Sequence, residues 1–237
     1  MGATADPFQD YWKLGVTGMF TARPASNIAN AAGFEMSNMR VASYGLKYNF
    51  YQYGAYNLSA SLHHYSYFPD FTYLYAGVEM PGGGYGAQVW GAGGSDAATE
   101  NLVLNLAVER YFPVGSNYFM LGAGPELRYI HTTNSFSNIV FGTMDVEGNF
   151  LMHNVIYYAP NKLNLGLRAD AGFGLASNIG LFELKLHGHL GFSKFLEGVT
   201  TINNMPSVPA SNSRFSIKDN YVGFGVSYYP KRRQAKD

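Results

Sequence analysis

His64 and Ser66 are the first residues in this chain whose types and spacing suggest chemistry. On an extended strand, residues two apart share one face about 7 Å apart. A histidine beside a serine hydroxyl is the pairing that activates the oxygen for attack on an acyl ester, with a carboxylate to orient the imidazole. The pair shares parity with Leu58, Ala60 and Leu62, whereas the next acid along the chain, Glu79, falls on the opposite parity. His63, His64, Tyr65, Tyr67 and Phe68 fit equally well as an aromatic belt at a membrane interface. A second pair, His187 and His189, also shares one face, with Glu183 in the same run. A metal site there needs a further ligand from another strand, and His153 supplies it only if its strand faces the same way. Ordinary polar lining is the simpler reading, so we expect no metal and no cofactor. Walker, dinucleotide and HExxH motifs are absent.

These side chains sit in runs of period two. From Leu181, the residues Phe182, Leu184, Leu186, Leu190 and Phe192 fall on one parity, and Glu183, Lys185, His187, His189 and Ser193 on the other. Trp12, Leu14, Val16 and Phe20 alternate with Lys13, Gly15 and Thr17 in the same way, and Tyr44, Leu46, Tyr48 and Phe50 with Gly45, Lys47 and Asn49. Further runs start at Asn101, Phe119, Leu163 and Val222. That period belongs to strands with one apolar and one polar face, and no stretch shows a convincing helical period. The chain therefore reads as all-β, with residues 1–10 as a lead, 11–229 as one barrel domain and 230–237 as a basic tail.

Composition separates two kinds of barrel. Charged residues are 14% of the 237, against 28 Gly, 19 Tyr and 17 Phe, whereas a soluble domain carries roughly 25% charge. The polar parity is Gly, Asn, Ser and Tyr with scattered charges, and the apolar parity is Leu and Val running into aromatic ends. This is the pattern of a transmembrane antiparallel up-and-down barrel. No apolar run is long enough for a membrane helix. Sixteen basic and sixteen acidic residues leave no electrostatic footprint for nucleic acid, and the lack of cysteine removes thiolate chemistry.

Five breakers read as tight turns: Gln52-Tyr53-Gly54, Pro81-Gly82-Gly83-Gly84, Pro113-Val114-Gly115-Ser116, Glu147-Gly148 and Ser177-Asn178. If all lie on one side, the barrel closes at about twelve strands. The hairpins over 73–90 and 139–158 have muddy parity, and dropping one or both gives ten or eight. Longer connections fall at 22–38, 91–99, 132–138 and 196–213. The first and last of these carry Ile28, Phe34 and Met36, and Ile202, Met205 and Val208, more apolar than a plain solvent loop needs.

Gly223-Phe224-Gly225-Val226-Ser227-Tyr228 resembles the C-terminal assembly signal of Gram-negative outer-membrane proteins, and with the whole-chain pattern the protein looks like a bacterial outer-membrane β-barrel. One departure is that Pro230 and a basic tail follow the final aromatic residue. Ala3-Thr4-Ala5 is similar to the remnant of a signal-peptidase cut, which would start the mature chain near Asp6. The resemblance implies a place in the bacterial outer membrane, contact with membrane lipid and lipopolysaccharide, and docking of other envelope proteins by the outer loops or the tail. The tripeptide His64-Tyr65-Ser66 is similar to the His-x-Ser of outer-membrane lipid A deacylases, although Tyr67 stands where those enzymes generally have Asn.

The inward parity would carry Lys13, Lys47, Arg128, Arg168 and Lys185 against Glu79, Glu109, Glu126, Asp170 and Glu183, with His187 and His189 beside them. Balanced signs suit a small, weakly selective channel for small polar solutes. They suit equally a set of cross-strand pairs that plugs the lumen, as buried charges require, which would leave a non-conducting structural or partner-binding barrel. The many inward glycines lean toward the open interior. The third expectation is a lipid-modifying hydrolase using His64 and Ser66.

Overall fold

The computed structural model describes residues 7–23, 34–36, 39–67, 71–79, 85–92, 99–131, 137–144, 150–203 and 211–232. Among them every regular element is a strand: β1 (Leu14–Arg23), β2 (Phe34–Met36), β3 (Met39–Tyr53), β4 (Tyr56–Tyr67), β5 (Phe71–Glu79), β6 (Tyr85–Ala92), β7 (Thr99–Val114), β8 (Asn117–His131), β9 (Ser137–Met144), β10 (Phe150–Tyr158), β11 (Leu163–Ala176), β12 (Gly180–Gly191), β13 (Lys194–Asn203), β14 (Ser211–Lys218) and β15 (Tyr221–Pro230). Eight of them close an antiparallel barrel in the order β1-β15-β12-β11-β8-β7-β4-β3, the first and last strands being joined by pairs such as Val16 with Leu46.

The twelve-strand expectation is therefore corrected to eight. Two of the five breakers join strands outside the barrel, one between β5 and β6 and the other between β9 and β10, and the breaker residues themselves fall outside the described ones. The two muddy hairpins form side sheets, β2-β5-β6 and β14-β13-β10-β9. Their strand orders repeat those of the barrel strands that lead into them, β3-β4-β7 and β15-β12-β11-β8. The hairpins thus continue existing staves instead of adding new ones. The interruption is local: between β10 and β11 it falls at Ala159-Pro160-Asn161, where proline cannot donate to a ladder. Residues 196–203 and 211–213, expected as loop, are likewise strand. Ile28, Met205, Val208, the Ala3-Thr4-Ala5 remnant and residues 233–237 lie outside the described residues.

The remaining breakers make the three turns at one end. Gly54 (φ 58°) and Gly115 (φ 63°) each open a two-residue hairpin in the left-handed region that such loops demand. Ser177 closes the third, its hydroxyl donating to the Gly180 carbonyl at 2.6 Å. Both described termini sit at this end, Tyr11 bridging to Lys231.

The alternation resolves into an inverted molecule. Leu186 is 65% exposed while its neighbour Lys185 is 5% exposed. The same contrast runs through Leu102, Leu104, Leu106 and Val108 outside against Asn101, Asn105 and Glu109 inside. The inward glycines do not open the interior: they seat the side chains of neighbouring strands. A Cβ at Gly15 or Gly174 would collide with the ring of Tyr229 or Tyr118, one at Gly166 or Gly223 with the imidazole of His189 or His187, and one at Gly172 with the Lys185 stem. At Gly124 and Gly45 the backbone of the neighbouring strand, at Leu106 and at Leu62, occupies the space instead. Gly188, facing outward, has nothing within 4 Å.

Gly124→Ala should therefore lower the free energy of unfolding by about 1–3 kcal/mol, as overpacking does. Gly188→Ala should leave it unchanged or slightly raised, and urea titration of the refolded chain in detergent separates the two.

Candidate functional site

The inward side chains of the eight strands stack into layers. At the turn end Phe8, from the segment before β1, is 1% exposed and packs edge-on against Tyr111 (5.9 Å) and Tyr229 (5.0 Å). Tyr118 meets Tyr111 at 4.8 Å, and Tyr11, Met120 and Leu181 complete an apolar cluster that fills this end. Part of the lead expected over residues 1–10 thus packs into the barrel.

The next layer is a four-membered ionic cluster. Lys47 Nζ donates to both oxygens of Glu109 (2.6 and 2.8 Å) and to Glu183 Oε2 (3.1 Å). Lys185 Nζ donates to Glu109 Oε1 (2.9 Å) and lies 2.8 Å from Glu183 Oε2. The remaining carboxylate positions accept from neutral donors: Asn57 and Tyr111 on Glu109, Tyr118 and Tyr229 on Glu183. Two cations and two anions from β3, β7 and β12 thus neutralise one another, each at most 5% exposed.

A second ionic layer lies toward the opposite end. Arg168 donates twice to Asp170 Oδ1 (2.9 and 2.8 Å), and its Nη1 stands 3.6 Å from Glu126. Tyr221 donates its hydroxyl to Glu126 at 2.7 Å, and Arg128 Nε donates to Asp219 Oδ2 at 2.9 Å. His189 stacks on Tyr221 and lies between the Glu126 (3.3 Å) and Asp219 (3.7 Å) carboxylates. The Arg128 guanidinium is wholly buried, 5.4–5.6 Å from the ring centres of Tyr65, Phe195 and Tyr221. Cations over ring faces are attracted by the ring quadrupole, so aromatic residues close this end too.

Each lumen residue expected from the sequence can now be placed. Lys47, Glu109, Glu183 and Lys185 form one cluster, and Glu126, Arg128, Arg168, Asp170 and His189 belong to the other. Lys13 is half-buried at the turn end and joins neither. His187 is buried against Gly223, and neither of its ring nitrogens has a hydrogen-bond partner. Glu79 lies on β5 in a side sheet, and neither its side chain nor that of His153 is among those described. Among the described residues no group of three or more His, Asp or Glu side chains could hold a metal ion.

The sequence reading missed Asp219 and the tyrosine donors. Extending the period of two backward from Tyr221 puts Asp219 on the inward parity, which is the signal that could have found it.

On the outside, His64 and Ser66 share the face of Leu62, and the His64 ring lies 5.4 Å from that of Tyr44. The cross-strand partner of Ser66 is Glu100 on β7, an exposed carboxylate that sequence spacing could not bring there because β5 and β6 intervene. Beyond the barrel rim, Glu197 accepts from Lys194 and, at 3.1 Å, from the Tyr158 hydroxyl. These two bonds, with the nearby Arg214 charge, hold its carboxyl below the usual range.

No protein-family model matches this chain, and none of the curated proteins compared with it does.

Glu109→Ala should leave two buried ammonium groups sharing the single Glu183 carboxylate, an uncompensated buried charge that costs about 3–5 kcal/mol of unfolding free energy. Lys13→Ala, outside both clusters, should cost less than about 0.5 kcal/mol, and denaturant midpoints compared side by side check the pair.

Proposed function

We propose that the chain is an outer-membrane β-barrel of the Gram-negative type, with a filled, non-conducting lumen, which acts through its outer wall and the strands beyond its rim. The observation that carries this reading is the inversion: paired charges inside, and Leu, Val, Phe and aromatic side chains outside. Soluble monomers rarely expose contiguous apolar surface on this scale, while a barrel in lipid requires an apolar exterior and no free edge. Eight staves leave an interior just wide enough for side chains, and two ionic layers between aromatic ends take up that width. An open pore for small polar solutes makes the opposite expectation in the same experiment. Refolded chain reconstituted in a planar bilayer should stay at baseline conductance while showing β circular dichroism and heat-modifiable gel mobility. Stepwise openings in the wild-type chain would overturn the filled-lumen reading.

One observation favours a second, narrower reading, a lipid ester hydrolase: Glu100 stands directly opposite Ser66 and diagonal to His64. Cross-strand and diagonal neighbours are within reach of long side chains. Ser66 Oγ would add to an ester carbonyl while its proton passes to His64. His64 would return that proton to the departing alcohol, with Glu100 balancing the imidazolium, and water would then release the acid by the same route. Under this reading Ser66→Ala and His64→Ala each lower release of fatty acid from acyl-ester lipid in mixed micelles by about 10²-fold or more. Release equal in wild type and Ser66→Ala discards it.

A further inference from the structure

The apolar wall is not uniformly filled. Across β8, β11, β12 and β15, Ala123 pairs with Ala169, Ala169 with Gly188, and Gly188 with Val222, all facing outward. With Leu167 and Leu190 beside them they line a groove of about 510 Å³, within the range of roughly 300–1,000 Å³ typical of small-molecule sites. The inward glycines seat side chains or backbone of this chain, whereas Gly188 faces open space at the groove floor.

The same wall is capped by cations. Lys194 and Lys218 are direct cross-strand partners, both exposed. Like charges placed opposite one another are unfavourable unless something neutralises them. Exposed Lys162 precedes β11 in a bend, and the Phe192 N–H donating to the Leu165 carbonyl carries the β11–β12 register on to place Leu163 opposite Lys194, with Lys162 one residue beyond. Among the described residues Glu197 is the acid here, bonded to Lys194, while Lys162 and Lys218 have no ion-pair partner. Four residues separate Lys194 from Leu190 and Lys218 from Val222, at most about 13 Å of extended chain, with the strand interrupted at 192–193 and 219–220.

We propose that this face binds a phosphorylated lipid, its phosphate held between Lys194 and Lys218 with Lys162 beside them, and one acyl chain lying in the groove over Gly188. A lysine cluster over an apolar trough complements an anionic head on a hydrocarbon tail, and neither a free phosphate nor an uncharged hydrocarbon would use both parts. The inference rests on the outer-membrane reading, in which the outer leaflet supplies such a lipid.

The full chain, refolded in detergent micelles, is titrated with lipid A carrying its phosphates, and retained lipid is counted by native mass spectrometry. Wild type should retain lipid. Gly188→Phe, which fills the groove, and the double change Lys194→Glu with Lys218→Glu should each weaken retention at least tenfold with β circular dichroism and heat-modifiable mobility intact. Ala60→Phe, on the far wall, should not weaken it. Retention by both variants at the wild-type level, or equal retention of lipid A stripped of phosphate, overturns the proposal. A chain that enters no bilayer and shows no heat-modifiable mobility overturns the membrane reading itself, a result distinct from an inserted barrel that retains no lipid.

Discussion

Closing eight strands leaves an interior the width of side chains, and that width forces the pairing of Lys47, Glu109, Lys185 and Glu183. A charge taken from water into so narrow a space is tolerated only against an opposite charge with its remaining lone pairs or protons satisfied. The cluster meets both conditions, with tyrosine and asparagine donors completing the two carboxylates. Its members come from β3, β7 and β12, far apart in sequence and on different sides of the ring. The contacts that join β12 to β3 and β7 therefore form only when the barrel has closed. The ionic layer ties closure of the sheet to desolvation of the lumen and disfavours a half-closed sheet, in which the same charges would be buried without partners.

Glycine makes this packing possible. A tyrosine, histidine or lysine side chain lying across an eight-stranded lumen needs a position on the neighbouring strand without a Cβ, and Gly15, Gly166, Gly172, Gly174 and Gly223 provide those positions. Read from the sequence, inward glycines suggested spare room. In the structure the room is taken by the large residues beside them, because seat and occupant lie on different strands and sequence order does not reveal their register.

What was legible, and what was not, follows from the range of the physics involved. Side-chain direction along a strand is local, so the alternation of Leu186 with Lys185, or of Leu46 with Lys47, showed in the sequence which face each residue takes. Strand count is not local. The segments over 73–90 and 139–158 contain genuine strands, and nothing in their composition says whether a hairpin adds two staves or prolongs two existing ones. Pairing partners decide that, and partners such as Val155 with Thr200 or Tyr73 with Trp90 are set by register. The same limit hid Asp219 beside Arg128 and Glu100 beside Ser66, each brought in from a segment the chain reaches only after a long excursion.

Two constraints divide the molecule's surfaces between stability and recognition. Inside, the carboxylates of the two ionic layers are each paired with a cation, so a change there falls on folding before it can tune anything else. Outside, the apolar side chains of the wall pack against no further layer of this chain among the described residues, which leaves the size of each one free to vary at little cost to the fold. Shape can therefore be written into the outer wall, as it is where Ala123, Ala169 and Gly188 replace the leucines found on neighbouring rows. Exposed charge is carried on strands such as β13 and β14, where Lys194 and Lys218 lie. A recognition element on this protein is then expected where the two meet, at the height where Leu190 and Val222 give way to Lys194 and Lys218.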